Sequence, residues 1–267
     1  YWGEGGEGNI KEGLIKQIKT FQPDIVGFSI VENNYNCAKE LMTIIKDNFD
    51  IPVIVGGVFP TVAPQFFVDD KNVDFICIGE GERVMKEIAG RINTGDRITN
   101  IDNLIIKTKN GVETNRVGKF YNWQPPSFQD VSIFDPRHLL KPFIGKVWRA
   151  GYFELSRGCP YQCSYCVNAV YQGLFKDSGQ YRRERSIDEG ISEIVFMKEK
   201  YNLDLAWFHD ENFALMNETR FAHFYKEYKE KVNLPFFVQS SADTLQNEDR
   251  VRKMKELGCA TIAIGLE

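Results

Sequence analysis

The sequence predicts an α/β protein built in two parts. Short apolar, β-branched runs alternate with helical stripes along most of the chain, the pattern of a parallel sheet covered on both faces. The periodicity lapses between about residues 117 and 146, where Pro125, Pro126, Pro136 and Pro142 interrupt it, and then resumes. The expected organisation is therefore a Rossmann-like parallel sheet over residues 1–116, a linker over 117–147 and a second α/β domain over 148–267.

Each element has its own signal. Residues 24–31 (Asp-Ile-Val-Gly-Phe-Ser-Ile-Val) read as a buried parallel strand, and residues 36–49 place Cys37, Leu41, Ile44, Ile45 and Phe49 at helical spacing. A second strand, residues 52–57, ends in a glycine pair. A third covers residues 73–79 and puts Cys77 in the core. Val84, Ile88 and Ile92 mark a helix over 81–92. Between Leu104 and Thr114, Asn110-Gly111 joins two extended runs, which predicts a hairpin with a type I′ turn. Beyond the linker, a strand at residues 152–155 leads into a cysteine-rich loop. Ser186 and Glu189 fit a capping box for a helix carrying Ile187, Ile191, Ile194 and Val195. Strands follow at 203–208, 235–240 and 259–266. The helix between the first two has a core face of Phe221, Phe224, Tyr225 and Tyr228. The helix before the last is capped by Asn247, carries Val251, Met254 and Leu257, and closes at Gly258. No internal repeat or low-complexity segment accompanies this alternation.

Composition narrows the class. With 43% hydrophobic and 26% charged residues, the 267-residue chain can fill proper cores. A net charge of −4 argues against a broad polyanion-binding face and hence against a nucleic-acid partner, leaving only a local basic run at Arg182-Arg183-Glu184-Arg185. No apolar run approaches the roughly 18 residues that span a bilayer, and no signal peptide opens the chain, so the expectation is a cytoplasmic protein. The chain opens on Tyr1 and stops at Glu267 directly after a strand-like run, which reads as an internal segment of a longer protein.

The most informative residues are Cys159, Cys163 and Cys166 in the run Leu155-Ser-Arg-Gly-Cys-Pro-Tyr-Gln-Cys-Ser-Tyr-Cys-Val167. Three thiols on one loop can hold three irons of a 4Fe–4S cluster, leaving the fourth iron without a protein ligand, whereas ferredoxin clusters are closed by four cysteines. Structural zinc takes four ligands, usually as two Cys or His pairs. No second pair exists: Cys37, Cys77 and Cys259 are isolated, and the histidines are His138, His209 and His223. Three of six cysteines within eight residues speak for metal chemistry in a reducing compartment rather than for disulfides.

This spacing resembles the signature of the radical S-adenosylmethionine (SAM) enzymes, and the second half resembles the first part of their partial (β/α)6 barrel. The resemblance implies that the open iron chelates SAM and that strand-end loops surround it, since such barrels carry their functional residues there. The SAM-binding positions it implies are Tyr165 between the last two cysteines; Asp210, Glu211 and Asn212 after the second barrel strand; Ser240 after the third; and Gly265 and Glu267 after the fourth. His209 lies beside them.

The first half is similar to cobalamin-binding Rossmann-like domains, which carry Ser-x-(Leu/Val) after one strand and Gly-Gly after the next. Here Ser29-Ile30-Val31 is followed by Gly56-Gly57, then Val58-Phe-Pro-Thr61, and Gly79-Glu-Gly-Glu82 ends the third strand. The resemblance implies a cobalamin site at Ser29, Val31, Gly56, Gly57, Phe59, Pro60, Gly79, Glu80 and Gly81, in the crevice at the carboxyl ends of the strands. Glycines there would let the backbone approach the nucleotide tail. The histidine motif that ligates cobalt in some relatives would fall before Tyr1.

Together these resemblances imply a cobalamin-dependent radical SAM enzyme with three cofactors: a 4Fe–4S cluster, SAM and cobalamin. The implied reaction is methylation or oxidative cyclisation of an organic small molecule, with one electron supplied by a flavodoxin- or ferredoxin-like reductant. Two rivals remain: a methylthiotransferase of tRNA, which would need a second cluster-binding domain and a basic RNA surface, and a non-catalytic Fe–S or cobalamin-binding module. No residue identifies the substrate, and no protein nucleophile is expected.

Overall fold

A computed structural model of the chain describes residues 7–121 and 128–265. The chain divides into two compact units. One comprises residues 1–121 together with 173–179; the other comprises 122–172 together with 180–267.

In the first unit the order is α1 (Glu7–Phe21), β1 (Val26–Ser29), α2 (Tyr35–Asn48), β2 (Val53–Gly56), α3 (Val58–Val62), α4 (Gln65–Val68), β3 (Phe75–Cys77), α5 (Glu82–Thr94), β4 (Leu104–Thr108) and β5 (Gly111–Thr114). The sheet runs β1-β2-β3-β4-β5. Its first three strands are parallel and the last two antiparallel. Successive side chains of a strand point to opposite faces. Val53 and Val55 accordingly join Met42, Ile45 and Phe67 in one core, while Ile54 and Phe75 join Val84 and Ile88 in the other. Both faces are covered, as the apolar runs predict. Asp74 locks the connection by accepting from Lys46 Nζ at 2.6 Å and from the Val53 amide at 2.7 Å.

Three local expectations are corrected. The buried stripe of α2 is Ala38, Met42 and Ile45; of the expected set Ile45 is buried and Phe49 packs against the core, whereas Cys37, Leu41 and Ile44 are half-buried. The β4–β5 hairpin forms, with Thr108 opposite Gly111. Its turn is not type I′, because neither Lys109 nor Asn110 has positive φ and only Gly111 does, at 129°. Helix α1 has no counterpart among the sequence-predicted elements.

In the second unit β6 (Leu140–Phe143), β7 (Lys146–Phe153) and β8 (Ser156–Arg157) precede the cysteine loop. Then follow α6 (Val167–Leu174), β9 (Arg183–Glu184), α7 (Ile187–Tyr201), β10 (Leu205–Phe208), α8 (Glu218–Glu227), a π turn (Tyr228–Val232), β11 (Phe236–Gln239), α9 (Glu248–Glu256) and β12 (Cys259–Ala263). The sheet order is β12-β11-β10-β7-β6, with β7, β10, β11 and β12 parallel and β6 an antiparallel edge. Strands adjacent in sequence are adjacent in space, the progression of a βα barrel wall.

One sheet face buries Phe153, Ala206, Phe208, Phe236 and Val238 under Ile191, Ile194, Phe224, Tyr228 and Met254. The other face carries Trp207 stacked on Phe237 at 3.8 Å, with Lys141 over the indole and Phe143 edge-on to both rings. Phe143 and Lys141 arrive on the β6–β7 hairpin, whose turn residues Ile144 and Gly145 both have positive φ. This hairpin lies within the stretch where the periodicity lapses; Pro125 and Pro126 lie outside the described residues.

Asn247 and Asn217 cap α9 and α8 by accepting from the amides three residues on. Ser186 sits at the N-cap of α7, but its side chain makes no capping bond, so the capping box is absent. The basic run at 182–185 is spent internally. Arg185 pairs with Glu193 at 2.5 Å in the core, and Arg182 pairs with Glu184 at 2.7 Å.

Removing one member of a buried ion pair strands the other. Glu193 is 3% exposed and also accepts from the Gln129 amide. Glu193→Ala should therefore lower the stability of this unit by about 3–5 kcal/mol, read from urea unfolding curves. A loss under about 1 kcal/mol, the range of exposed pairs, would mean that Arg185 finds another partner.

Candidate active site

The cysteine loop leaves the end of β7, and its root is held by carboxylates from the loop after β10. Asp210 is fully buried. One of its oxygens accepts from the Leu155 amide at 3.0 Å and the other from Ser156 Oγ at 2.6 Å. Glu211 accepts with both oxygens from the Gly158 amide, at 3.1 and 3.0 Å, immediately before Cys159. From beyond the loop, Gln172 on α6 donates to the carbonyls of Cys159 and Tyr161, each at 2.9 Å.

The loop thus presents three free thiols. Cys159 and Cys166 are half-buried and Cys163 is exposed. The Cys166 amide donates to the Cys163 carbonyl at 3.0 Å, and Asn168 Nδ2 lies 3.6 Å from the Cys166 sulfur. Burial raises the Cys159 thiol above its ordinary range, and Glu211 and the other two thiols raise it further. Thiolates that disfavour one another are favoured by a cation set among them, and metal ligation requires that form. Among the described residues the ligating atoms that gather within 4.8 Å are those of Asp188, His223 and Glu227, between α7 and α8. The three thiols on one loop are the donor type that iron–sulfur clusters take.

The other predicted SAM positions fall into two sets. Tyr165 and Gly265 are exposed and Glu211 is half-buried. Asp210, Asn212 and Ser240 are buried and satisfied from within: Asn212 donates to Ser241 Oγ at 2.7 Å, and Ser240 Oγ accepts from the Ala214 amide at 2.9 Å. These three brace the strand-end loops and do not face outward. Glu267 lies outside the described residues. His209 stacks on Tyr152 at 5.4 Å, and burial, then Lys141, lowers its pKa.

Glu154, absent from the sequence-predicted set, directly follows β7 beside these groups. Its carboxylate accepts from Arg157 Nε at 2.8 Å. Burial pushes its pKa up to about 7, against the pull of Arg157, with Asp210 and Glu211 adding repulsion. Burial likewise pushes Asp210 up to about 6, although its hydrogen bonds oppose the rise. A single glutamate gives no sequence signal; Arg157 is local, but Asp210 and Glu211 are more than fifty residues on and only the fold brings them to it.

In the first unit the three strand ends, two of them carrying glycines, are wired together. The Ile30 amide donates to the Gly56 carbonyl at 2.8 Å and the Phe59 amide to the Ile30 carbonyl at 3.0 Å. Thr61 Oγ1 donates to the Gly57 carbonyl at 2.7 Å and accepts from the Gly79 amide at 2.9 Å. Ser29 and Val31 are exposed at the rim, and Gly56, Gly57, Gly79, Glu80 and Gly81 are half-buried. Pro60 is buried, and Phe59 packs in an aromatic cluster with Tyr35, Phe66 and Phe67.

The fold supplies its own reason for Gly57. Its φ is +96°, and a Cβ there would lie 2.9 Å from the Ile30 amide nitrogen and 3.0 Å from Ser29 Oγ. The chain itself excludes a side chain at this position, so a bulky substitution would break the loop before it blocked a ligand. The groups here suit a polar, phosphate-bearing tail: exposed backbone at a crevice rim, the Ser29 hydroxyl and closely approaching loops. Cys77, at the end of β3, is raised to about 12 by burial, then by Glu82, and is inert.

Comparison with known proteins agrees with this layout. The B12 binding domain family matches residues 7–89, and the radical SAM superfamily matches residues 153–267. An uncharacterized methyltransferase of Pyrococcus horikoshii is 27% identical over 263 residues, covering 95% of this chain and 54% of the relative. The anaerobic magnesium-protoporphyrin IX monomethyl ester cyclase of Synechocystis is 22% identical over 223 residues, covering 80% of this chain and 42% of the relative. Among solved structures, the radical SAM methyltransferase TsrM from Kitasatospora setae, with cobalamin and a [4Fe-4S] cluster bound, superposes with a TM-score of 0.69 at 20% identity, over 97% of this chain and 51% of that one. The chain spans about half the length of the curated relatives it matches. No helix among the described residues is long and apolar enough to cross a membrane.

The raised carboxyls set a pH dependence. Both hold their protons to higher pH folded than unfolded, where carboxyls titrate near pH 4. The folded state therefore binds more protons between about pH 4 and 7, and stability falls as pH rises through that window. The metal-free protein should unfold at a lower urea concentration at pH 8 than at pH 5, and Glu154→Gln should flatten that slope. An unchanged slope in the variant would remove Glu154 as its source.

Proposed function

We propose that this chain, which belongs to the cobalamin-binding class of the radical SAM superfamily, is the cofactor-binding part of an enzyme that methylates an organic small molecule. The observation that carries this reading is the cysteine loop itself: three free thiols on one loop, rooted by Asp210 and Glu211 at the strand ends. Cys159, Cys163 and Cys166 would hold three irons of a 4Fe–4S cluster and leave the fourth for SAM. Tyr165, Glu211, Gly265 and Glu267 are the groups proposed to reach SAM, with Asp210, Asn212 and Ser240 fixing the loops that carry them. Cobalamin is assigned to the crevice of Ser29, Val31, Gly56, Gly57, Phe59, Pro60, Gly79, Glu80 and Gly81.

When bound, these groups supply one-electron cleavage of a carbon–sulfur bond of SAM and storage of a methyl group on cobalt; the protein supplies position and shielding. Glu211, by fixing the Gly158 amide, sets where Cys159 stands. The buried braces keep water from the loop roots. Glu154, raised to about 7 by burial, holds its proton closer to neutrality than an ordinary glutamate, which limits negative charge beside a thiolate-ligated cluster. A one-electron reductant of the flavodoxin or ferredoxin type is the proposed partner, and the need for reduced thiols supports a cytoplasmic setting.

Oxidative cyclisation is the second reading, favoured by the likeness to the protoporphyrin ester cyclase. A tRNA methylthiotransferase is less well supported. Cys37 lies in α2 and Cys77 in the core, so neither offers ligands for a second cluster, and the basic run at 182–185 is consumed by ion pairs.

Two measurements test the proposal on the full-length protein. After anaerobic reconstitution, alanine variants of the three loop cysteines should lose most bound iron and sulfide, whereas Cys37→Ala and Cys259→Ala should not; normal cluster content in Cys163→Ala would overturn the assignment. With methyl-labelled SAM, a methylase places label in the product. An unlabelled, oxidised product selects cyclisation, and absence of SAM cleavage would reduce the chain to a binding module.

A further inference from the structure

We propose that Phe175 is a positioning residue of the corrinoid site, although it lies within the stretch matched by the radical SAM superfamily. The inference rests on the reading that the first unit holds cobalamin. Residues 173–179 leave the second unit at the end of α6 and pack as part of the first. Phe175 is 4% exposed. It fills the space beside Gly79, where φ is +81° and an added Cβ would lie 2.6 Å from the Phe175 ring. Phe120 packs on the same ring at 5.5 Å.

The arm is tied down on both sides of this contact. The Phe120 amide donates to the Ser178 carbonyl at 3.0 Å, Lys119 Nζ donates to the Asp177 carbonyl at 2.6 Å, and the Ser178 amide closes a turn onto the Phe175 carbonyl at 2.9 Å. From Gly79 the linkage continues inward. The Gly79 amide donates to Thr61 Oγ1, and Thr61 donates to the Gly57 carbonyl. A Cβ on Gly57 would sit against Ser29 and Ile30. A single chain of contacts thus runs from Phe175 through the third and second strand-end loops to the first.

Glycine at positive φ is mobile unless its surroundings fix it. Phe175 supplies that constraint from the outside and Thr61 from the inside. Without the ring, the Gly79–Gly81 loop gains a void and loses its stop, and the crevice is no longer preorganised for a large rigid ligand. The cysteine loop is held by its own hydrogen bonds to Asp210, Glu211 and Gln172.

The test uses full-length protein, reconstituted anaerobically with iron and sulfide and titrated with hydroxocobalamin while the visible spectrum is followed. Phe175→Ala should bind the corrinoid at least about tenfold more weakly, with iron and sulfide content unchanged. Phe175→Leu, which keeps most of the apolar volume, should recover most of the affinity. Thr61→Val, which removes the inner link without changing the fold of the arm, should weaken binding in the same direction. Equal affinity of Phe175→Ala and the unaltered protein overturns the inference. So does parallel loss of cluster and corrinoid, which would mark general unfolding. If the unaltered protein takes up no corrinoid, the reading of the first unit fails, and this inference falls with it.

Discussion

The second unit depends on one buried carboxylate. Asp210 has no contact with solvent, yet both of its oxygens are used, one by the Leu155 amide and one by the Ser156 hydroxyl. Burying a carboxyl costs free energy unless hydrogen bonds replace water. Here the replacement comes from the two residues where β7 stops and the cysteine loop begins. The cost of burial is thereby converted into a fixed departure angle for the loop. Around it, Arg220 donates to the Leu155 carbonyl at 3.0 Å and the Arg185 amide does so at 3.1 Å. The amide and the carbonyl of Leu155 both have partners, as an irregular segment inside a packed unit requires.

The first unit solves a similar problem without charge. The three parallel strands end at Ser29, Gly56 and Cys77, and the first and second loops are close enough that backbone groups bond directly across. Thr61 replaces the missing bond between the second and third loops with its hydroxyl, which donates one way and accepts the other. A hydroxyl is suited to this because it carries both functions on one atom. The glycines are therefore structural first: they permit the loops to close on one another, and the open rim left above them is what a ligand can use.

The two sheet faces of the second unit have separate work. The face under α7, α8 and α9 is a packed core of Phe153, Phe208, Phe224 and Phe236. The opposite face is aromatic but less buried, with Tyr152, Trp207 and Phe237 stacked or edge-on to neighbours and the β6–β7 hairpin folded against it. Alternation of strand side chains produces both faces from the same short sequences, so Phe236 and Phe237 serve different surfaces although they are adjacent in the chain.

The sequence by itself determined the α/β class, most strands and helices, the Asn247 cap and the three cysteines. These are local signals: a strand's apolar run, a helix's period and a loop's ligand spacing are all read within a dozen residues. The sequence also located the glycines at the second and third strand ends, but not the neighbour that excludes a Cβ at Gly57, which is Ile30, more than twenty residues away. Only the tertiary structure decided which polar residues at strand ends face outward and which brace. Asp210, Glu211 and Asn212 are consecutive and equally polar, yet Asp210 and Asn212 are sealed while Glu211 stays half-buried at the loop. Likewise, nothing near Phe175 in sequence marks it as part of the first unit. Its partner, Gly79, is ninety-six positions earlier, and contacts at that distance are set by how the layers pack, which no local pattern encodes.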